Sequence, residues 1–311
     1  MDGNIKNIQG IDLGNGESAK VDLDIIQGKV LEFLSNNSLG IYASARVENP
    51  SSLKGGTVVY RVPELLQVKD YKKGNNKAQT PQVGTKLVNL DKLKTVKYEL
   101  ESFDIAGLTQ GGEIESKIAQ GIALAIQAHL DAYFFKAINE KVVASEVITL
   151  PADNDLSNEK LRELRIKFID NNTKLTTKIT KQMVGANKST TLTIASPKTY
   201  SLLLEGASLV GSEKGQSQIL SGEIEGAKIG GFEFTNHFYI GQNIENVGEG
   251  ADVDLSTLNA IILNKEAIAY PVDFVSINTR INGDGNVEFI QKLRYGFDII
   301  RPSLISKITN A

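Results

Sequence analysis

The sequence predicts an α+β protein on three observations. Residues 113–140 carry one long helical apolar pattern, three apolar β-type runs close the chain, and residues 54–97 form a β excursion with little apolar cover of its own. The length, 311 residues, suits one large domain or two lobes.

Taken in order, residues 1–20 are polar and contain glycine, with neither helical nor strand period, and are expected to be an arm that is extended or mobile unless a partner holds it. Ile25, Ile26, Val30, Phe33 and Leu34 then predict a short amphipathic helix near 22–35, with Asp22 and Asp24 at its positive end. Residues 41–47 alternate enough to predict a strand. After Gly55-Gly56, residues 57–62 (TVVYRV) are β-rich, and Pro63 stops the run or confines it to an edge. A second β run is expected over about 85–100, with Leu87, Leu90, Leu93, Val96, Tyr98 and Leu100. Between the two lies a polar, positive tip that includes Lys72-Lys73-Gly74-Asn75-Asn76-Lys77. A two-stranded excursion of this length is marginal alone in water and needs another surface to lie on.

The helix over 113–140 is the most legible element. Ile114, Ile118, Ile122, Ile126, Leu130 and Phe134 recur every four residues, with Ala119, Ala123, Ala137 and Ile138 beside them. At 1.5 Å per residue it is about 40 Å long. Residues 151–155 break the chain, and Ser157 caps a further helix carrying Leu161, Leu164, Phe168 and Ile169. TTLTIA at 190–195 reads as a strand. Ser196 and Pro197 then open a helix through Tyr200, Leu203 and Leu204 that Gly206 closes. Residues 211–222 are a Gly/Ser/Gln-rich loop, and 228–238 a strand or hairpin kinked at Gly230-Gly231. The closing runs are 258–263, 267–275 and 287–300, with Asn282-Gly283-Asp284-Gly285-Asn286 as a hairpin turn between the last two.

Composition excludes several chemistries. The absence of cysteine removes disulfides, thiol nucleophiles and thiolate metal sites. The two histidines, His129 and His237, are too far apart in sequence to suggest zinc. His129 borders the apolar helix stripe and His237 ends a strand, so packed, structural roles are expected for both. Asp131 is expected on another side of the helix from His129. No G-x-S-x-G elbow, dinucleotide fingerprint or P-loop is present, and the turn at Asp284 lacks the other ligands of a calcium loop. No cofactor and no metal are expected, and a structural role is favoured over an enzyme. No apolar run approaches the roughly 18 residues of a membrane span, and residues 1–30 do not read as a signal peptide. The sequons at Asn36 and Asn171 are therefore not read as glycosylation sites.

Charge is unevenly distributed. The net charge is −3, yet residues 51–100 carry ten basic against four acidic side chains, a balance of +6, while residues 1–50 stand at −3. The basic segment binds a polyanion, meets an acidic surface of another copy, or is a solvated lysine-rich loop.

The order of elements resembles the tailed-bacteriophage major capsid family, the Hong Kong 97-type or Johnson fold. ESKIAQGIALAIQAHLDAYFFKAI at 115–138 is similar to the family's spine helix, and TLTIASPKTYSLLLEG at 191–206 to the strand and helix of its axial domain. EGAKIGGFEFTNHF at 225–238 and ILNKEAIAYPVDF at 262–274 resemble its glycine-kinked strand and its return to the peripheral domain. The resemblance covers nearly the whole chain, and order and spacing carry it more than any single motif.

The resemblance implies an N-terminal arm and helix over 1–50, an extended E-loop over 51–104, a peripheral domain of 105–150 with 265–311, and an axial domain over 151–264. It implies a structural, self-assembling subunit of an icosahedral phage head, made in the host bacterial cytoplasm and resident in the virion. Its partners would be further copies in hexamers and pentamers, a separate scaffolding protein, a portal, a decoration protein, and packaged double-stranded DNA bound without sequence specificity; no membrane is implied. No long scaffold-like region precedes the arm, so scaffolding is expected to come from a separate protein or to have been removed. Lys69, Lys72, Lys73, Lys77 and Lys86 are the expected E-loop contacts, and Ser212, Glu213, Lys214 and Gln216 a second contact in the axial loop. Some members join an E-loop lysine to a neighbour's asparagine. Asn278, Asn282 and Asn286 lie in the returning segment, but non-covalent contact is the expectation here. An encapsulin-like compartment shell shares the fold and is the first rival reading; a monomeric binding protein with a basic hairpin is the second.

Deleting residues 66–82 is expected to leave a folded subunit that forms no shells. Circular dichroism and electron microscopy on the deletion variant check this, and normal shells would refute the role given to the excursion.

Overall fold

The structure is a computed structural model. It describes residues 8–12, 18–45, 55–63, 83–101, 114–150, 191–208, 227–229, 232–281 and 286–310, with scattered helical residues between 162 and 175. In chain order, β1 (Ile8–Asp12) and β2 (Ser18–Asp22) lead into α1 (Leu23–Asn37) and a one-turn helix α2 (Leu39–Tyr42). β3 (Thr57–Pro63), β4 (Val83–Asn89) and β5 (Lys92–Leu100) precede the long helix α3 (Ile114–Lys141). β6 (Val147–Leu150), β7 (Thr191–Ala195), α4 (Pro197–Ser208), β8 (Ala227–Ile229) and β9 (Phe232–Asn236) follow. β10 (Asn243–Ile244), β11 (Val253–Asp254), β12 (Leu258–Asn264), β13 (Ile268–Ala269), β14 (Val272–Ile281), β15 (Val287–Tyr295), β16 (Asp298–Ile299) and β17 (Ile305–Asn310) complete the chain.

Helix α3 runs where its apolar pattern places it, and every residue of the four-residue stripe from Ile114 to Phe134 is buried. A four-residue step overshoots one turn by about 40°, so the stripe winds around the helix and must be covered from more than one side. α1 covers one part through Leu23, Ile26, Val30 and Leu34. The sheet β14-β15-β5 covers another, with Val96, Tyr98, Phe289 and Leu293 in the same core. The Tyr98 ring lies directly on Gly121 of α3, where a Cβ would come within 2.4 Å of it. Asp22 caps α1, accepting from the backbone N–H of Asp24 at 3.1 Å and of Ile25 at 3.3 Å.

The second sheet is six-stranded and mixed, in the order β6-β17-β12-β7-β9-β8. β7 is buried along its whole length, as a central strand covered on both faces must be. The Ser196 hydroxyl oxygen accepts from the Thr199 N–H at 3.1 Å, so the Ser-Pro start of α4 forms as its sequence predicts. The helix continues to Ser208, two residues past the expected stop at Gly206.

Several expectations are corrected. The polar start is not wholly without period, because β1 and β2 pair as an antiparallel ribbon from Ile8↔Asp22 to Asp12↔Ser18. Residues 39–42 form a helical turn where a strand was expected over 41–47, since Ser38 and Gly40 are held by a buried carboxylate on α3. The β run at 85–100 is two strands. β4 pairs with β3, whereas β5 leaves it after Asn89 and pairs with β15 along its full length. The two-stranded excursion is therefore shorter than 54–97. β6 and β17 were not expected as strands, yet they form one side of the six-stranded sheet. The turn at 282–285 lies outside the described residues, but β14 and β15 pair on either side of it as a hairpin must.

The change of sheet between β4 and β5 requires Gly296. A Cβ there would sit 1.9 Å from the Asn89 carbonyl oxygen and 3.3 Å from the Leu90 Cα, both backbone atoms that cannot swing aside. Gly296→Ala is expected to destabilise the subunit by about 1–3 kcal/mol through overpacking. Urea unfolding of the variant measures it, and a midpoint equal to that of the parent would show that the junction is looser than drawn.

Candidate intersubunit interface

The hairpin β3–β4 is a two-sided object. On its inner face Val58, Tyr60, Val88 and Leu90 are buried with Ala269 of β13, and Ala45 and Ile300 pack at the margin. Leu90 N–H donates to Gly56 O at 2.9 Å and closes the root. On the outer face Val59 and Leu87 stand directly opposite one another in the register, and both are exposed. Cross-strand neighbours of this kind lie about 5 Å apart and form one apolar knob. Burial pushes the Tyr60 phenol up, and its hydroxyl, closed inside the root, finds no hydrogen-bond partner.

Lys86 is the one predicted contact residue among those described. Its ammonium lies 3.2 Å from Asp298 Oδ2 and donates to the Ile299 carbonyl at 3.0 Å, both in β16 of its own chain. In a half-exposed setting such a pair contributes about 0–1 kcal/mol and mainly fixes position. Lys69, Lys72, Lys73 and Lys77, and Ser212, Glu213, Lys214 and Gln216, lie outside the described residues. Of the asparagines, Asn286 donates to Glu99 Oε1 at 2.8 Å and Asn278 is exposed, while Asn282 is outside the described residues.

A buried polar junction ties the elements behind the hairpin together, and sequence reading passed over its centre. Asp131 of α3 is 1% exposed. One carboxylate oxygen accepts from Ser38 Oγ at 2.8 Å and from the Gly40 N–H at 2.9 Å, locking the α1–α2 corner onto α3. Burial raises the Asp131 pKa, and these donors work against that rise. The other oxygen faces His237 Nε2 at 3.9 Å, beyond a hydrogen bond. The Tyr239 N–H donates to His237 Nδ1 at 3.3 Å, which places the ring proton on Nε2. Phe135, Phe238 and Tyr239 surround the ring, and burial drops its pKa to about 4. His129 has the packed role expected of it: Nδ1–H donates to the Val247 carbonyl at 3.1 Å, and Nε2 accepts from the Tyr295 hydroxyl at 2.7 Å. The signal that could have exposed Asp131 is its place in the run HLDAYFF, a lone acid one residue past the buried stripe.

Among the described residues no group of three or more His, Asp or Glu converges as a metal site requires, and no helix is long and apolar enough to cross a membrane.

A spine helix packed on a long antiparallel sheet, a separate mixed sheet and a projecting hairpin define the tailed-phage major capsid fold, the Hong Kong 97-type or Johnson fold. Solved structures show the same architecture. That from Mycobacterium phage Che8 matches with a TM-score of 0.56 at 14% identity, over 88% of this chain and 91% of that one. The mature capsid of bacteriophage PhiM1 matches with a TM-score of 0.53 at 12% identity, over 88% and 87%. The capsid of cyanophage P-SCSP1u matches with a TM-score of 0.52 at 10% identity, over 83% and 84%. No known sequence family and no characterised protein matches the sequence itself.

His237 makes the fold sensitive to acid. Its folded pKa is about 4 against 6.5 for the free side chain, so the unfolded chain takes up the proton first as the pH falls. Stability from this residue is therefore full above about pH 6.5 and is lost towards pH 4, by up to roughly 3 kcal/mol. His129, also lowered by burial, acts in the same direction, while protonation of Asp131 acts against it. Urea unfolding between pH 7 and 4.5 should show a flatter profile for His237→Gln than for the parent; parallel profiles would acquit His237.

Proposed function

We propose that this chain is the structural subunit of the icosahedral head of a tailed double-stranded DNA phage. The observation that carries the reading is the capsid fold, shared over more than four-fifths of this chain with the two phage capsid structures. The hairpin supports it. Its inner face is covered within the subunit, and its outer face leaves the apolar pair Val59 and Leu87 open among polar residues, as suits an arm that lies on a neighbour. Many weak contacts of this kind become collectively strong in a closed assembly.

In this reading the arm and its helix span 1–50, the E-loop 51–104, the peripheral domain 105–150 and 265–311, and the axial domain 151–264. β5 joins the peripheral sheet, and β6 and β17 bridge to the axial one. Copies associate as hexamers and pentamers, with scaffold, portal and decoration proteins supplied separately and DNA packed inside without sequence reading. The lysines of residues 69–77 meet acidic surface on a neighbouring copy, and Ser212, Glu213, Lys214 and Gln216 meet their counterparts around the capsomer axis. The subunit performs no catalysis.

Electron microscopy of the purified chain, expressed alone and with its neighbouring genes, is expected to show closed icosahedral particles. High salt is expected to weaken their assembly by screening surface charge. Particles filled with protein cargo would assign the chain to an encapsulin-like compartment instead. A chain that stays monomeric and binds polyanions would overturn the shell reading altogether.

A further inference from the structure

The turn that follows β9 is a place where the six-stranded sheet reaches α3. His237 N–H donates to the Ala195 carbonyl of β7 at 3.1 Å, and Ile240 N–H donates back to the His237 carbonyl at 3.1 Å. From the same turn the Tyr239 hydroxyl donates to the Ala128 carbonyl of α3 at 3.3 Å. The His237 ring lies against Phe135 of α3, with centroids 4.9 Å apart. The turn is a clasp, with one side on the sheet and the other on the helix.

The geometry around His237 suits only the neutral ring. Nδ1 accepts the Tyr239 N–H at 3.3 Å, so the ring proton is on Nε2 and a second proton must go to Nδ1. Two N–H groups would then point at each other, and the Tyr239 amide would lose its acceptor inside the clasp. Asp131 gives the charged ring no ready partner. Its Oδ2 is 3.9 Å from Nε2, beyond a hydrogen bond, and its Oδ1 is already taken by Ser38 and Gly40. Phe238 has a role in the same place. It is 57% exposed, yet its ring stacks on that of His237, 5.0 Å away and 17° from parallel. It forms a one-residue lid between the imidazole and water.

Among the described residues, the titratable groups facing this ring are Asp131 from α3 and Tyr239 from its own turn, with Tyr270 behind Asp131. Burial raises both phenols, so they stay neutral in acid. The α1–α2 corner faces Asp131 with Ser38 and Gly40, which do not titrate. We propose that this turn is an acid-released clasp: when His237 takes a proton, residues 237–240 come away from α3 while the helix and the sheet keep their own folds. The device does not depend on what the subunit assembles into. It differs from a general loss of stability because the chain opens first at one seam.

The closed turn holds the ring at a pKa of about 4, and an opened turn returns it to the ordinary 6.5. The histidine therefore favours opening as the pH falls through that window, by about 50-fold between pH 7 and 4.5. Asp131 pulls the other way, since burial makes its carboxyl bind a proton more readily in the closed state. Hydrogen exchange on the full-length subunit, corrected for the intrinsic effect of pH, reads the opening. His237→Gln keeps Asp131 and an uncharged acceptor, so comparison with the parent isolates the histidine. Between pH 7 and 4.5 the parent is expected to lose about 50-fold more protection over residues 237–240 than the variant. These residues are expected to exchange faster than residues 118–130 of α3 at every pH. Should His237→Gln misfold, Phe238→Ala at its exposed position takes its place. Removal of the lid is expected to raise the His237 pKa, read from the ring protons by NMR in a chain with two histidines, and to move the opening to higher pH. Equal pH dependence in the parent and His237→Gln would overturn the proposal. So would an unchanged His237 pKa in Phe238→Ala, or equal protection of 237–240 and α3 at pH 4.5, which would mean that the subunit opens as a whole. A His237 pKa at or above 6.5 in the parent would overturn it too, as the mark of an ion pair closed onto Asp131.

Discussion

The cover that α1 and the sheet β14-β15-β5 place around α3 is the constraint on which the other elements depend. A stripe repeating every four residues cannot stay on one face of an α-helix, so α3 has to be enclosed and not merely leaned upon. The enclosing pieces come from chain segments far apart in sequence: the N-terminal helix, β5, and the β14–β15 hairpin. Tyr98 on Gly121 sets how closely the sheet lies on the helix, and Asp131 sets where the α1–α2 corner lands. The cost of burying that carboxylate is offset by the donors converging on it. The same burial leaves His237 neutral in the folded chain.

The hairpin follows from this frame. Once β5 is drawn onto β15, only the two strands before it remain to project. Their root is fixed by a small apolar cluster, by the Gly296 crossing and by Lys86 on β16. What remains uncovered on the hairpin includes the apolar pair Val59 and Leu87 beside polar Thr85 and Asn89, and what remains uncovered on α1 includes Ile25 and Leu31 among polar residues. A subunit with its own core still leaves aliphatic side chains exposed on both the hairpin and α1.

Long or well-punctuated elements could be read directly. The helix over 113–140 was legible because its apolar stripe persists through many turns. The start of α4 was legible because Ser196 and Pro197 act locally, and the β14–β15 hairpin because Asn-Gly and Asp-Gly mark the turn between two apolar runs. Other elements carried no such mark. β17 has the short sequence ISKITN and becomes a strand by pairing with β12 and β6. The turn at 39–42 has strand-like composition and is made helical by Asp131, far away in sequence. Of the candidate contacts, the lysines were visible as a cluster of charge, whereas the apolar pair Val59 and Leu87 could not be told from core residues.

The amino-acid sequence by itself determined the α+β class, the long helix and the segments able to form strands. Periodicity, caps and turn residues act over a few neighbours and need no tertiary partner. The tertiary structure alone decided which strand pairs with which, where the 83–100 region divides between two sheets, and which side of the hairpin is left open. A strand's backbone groups are alike in every register. Its partner is therefore chosen by the faces that must be buried against α3 and β13, and those faces exist only once distant parts of the chain have come together.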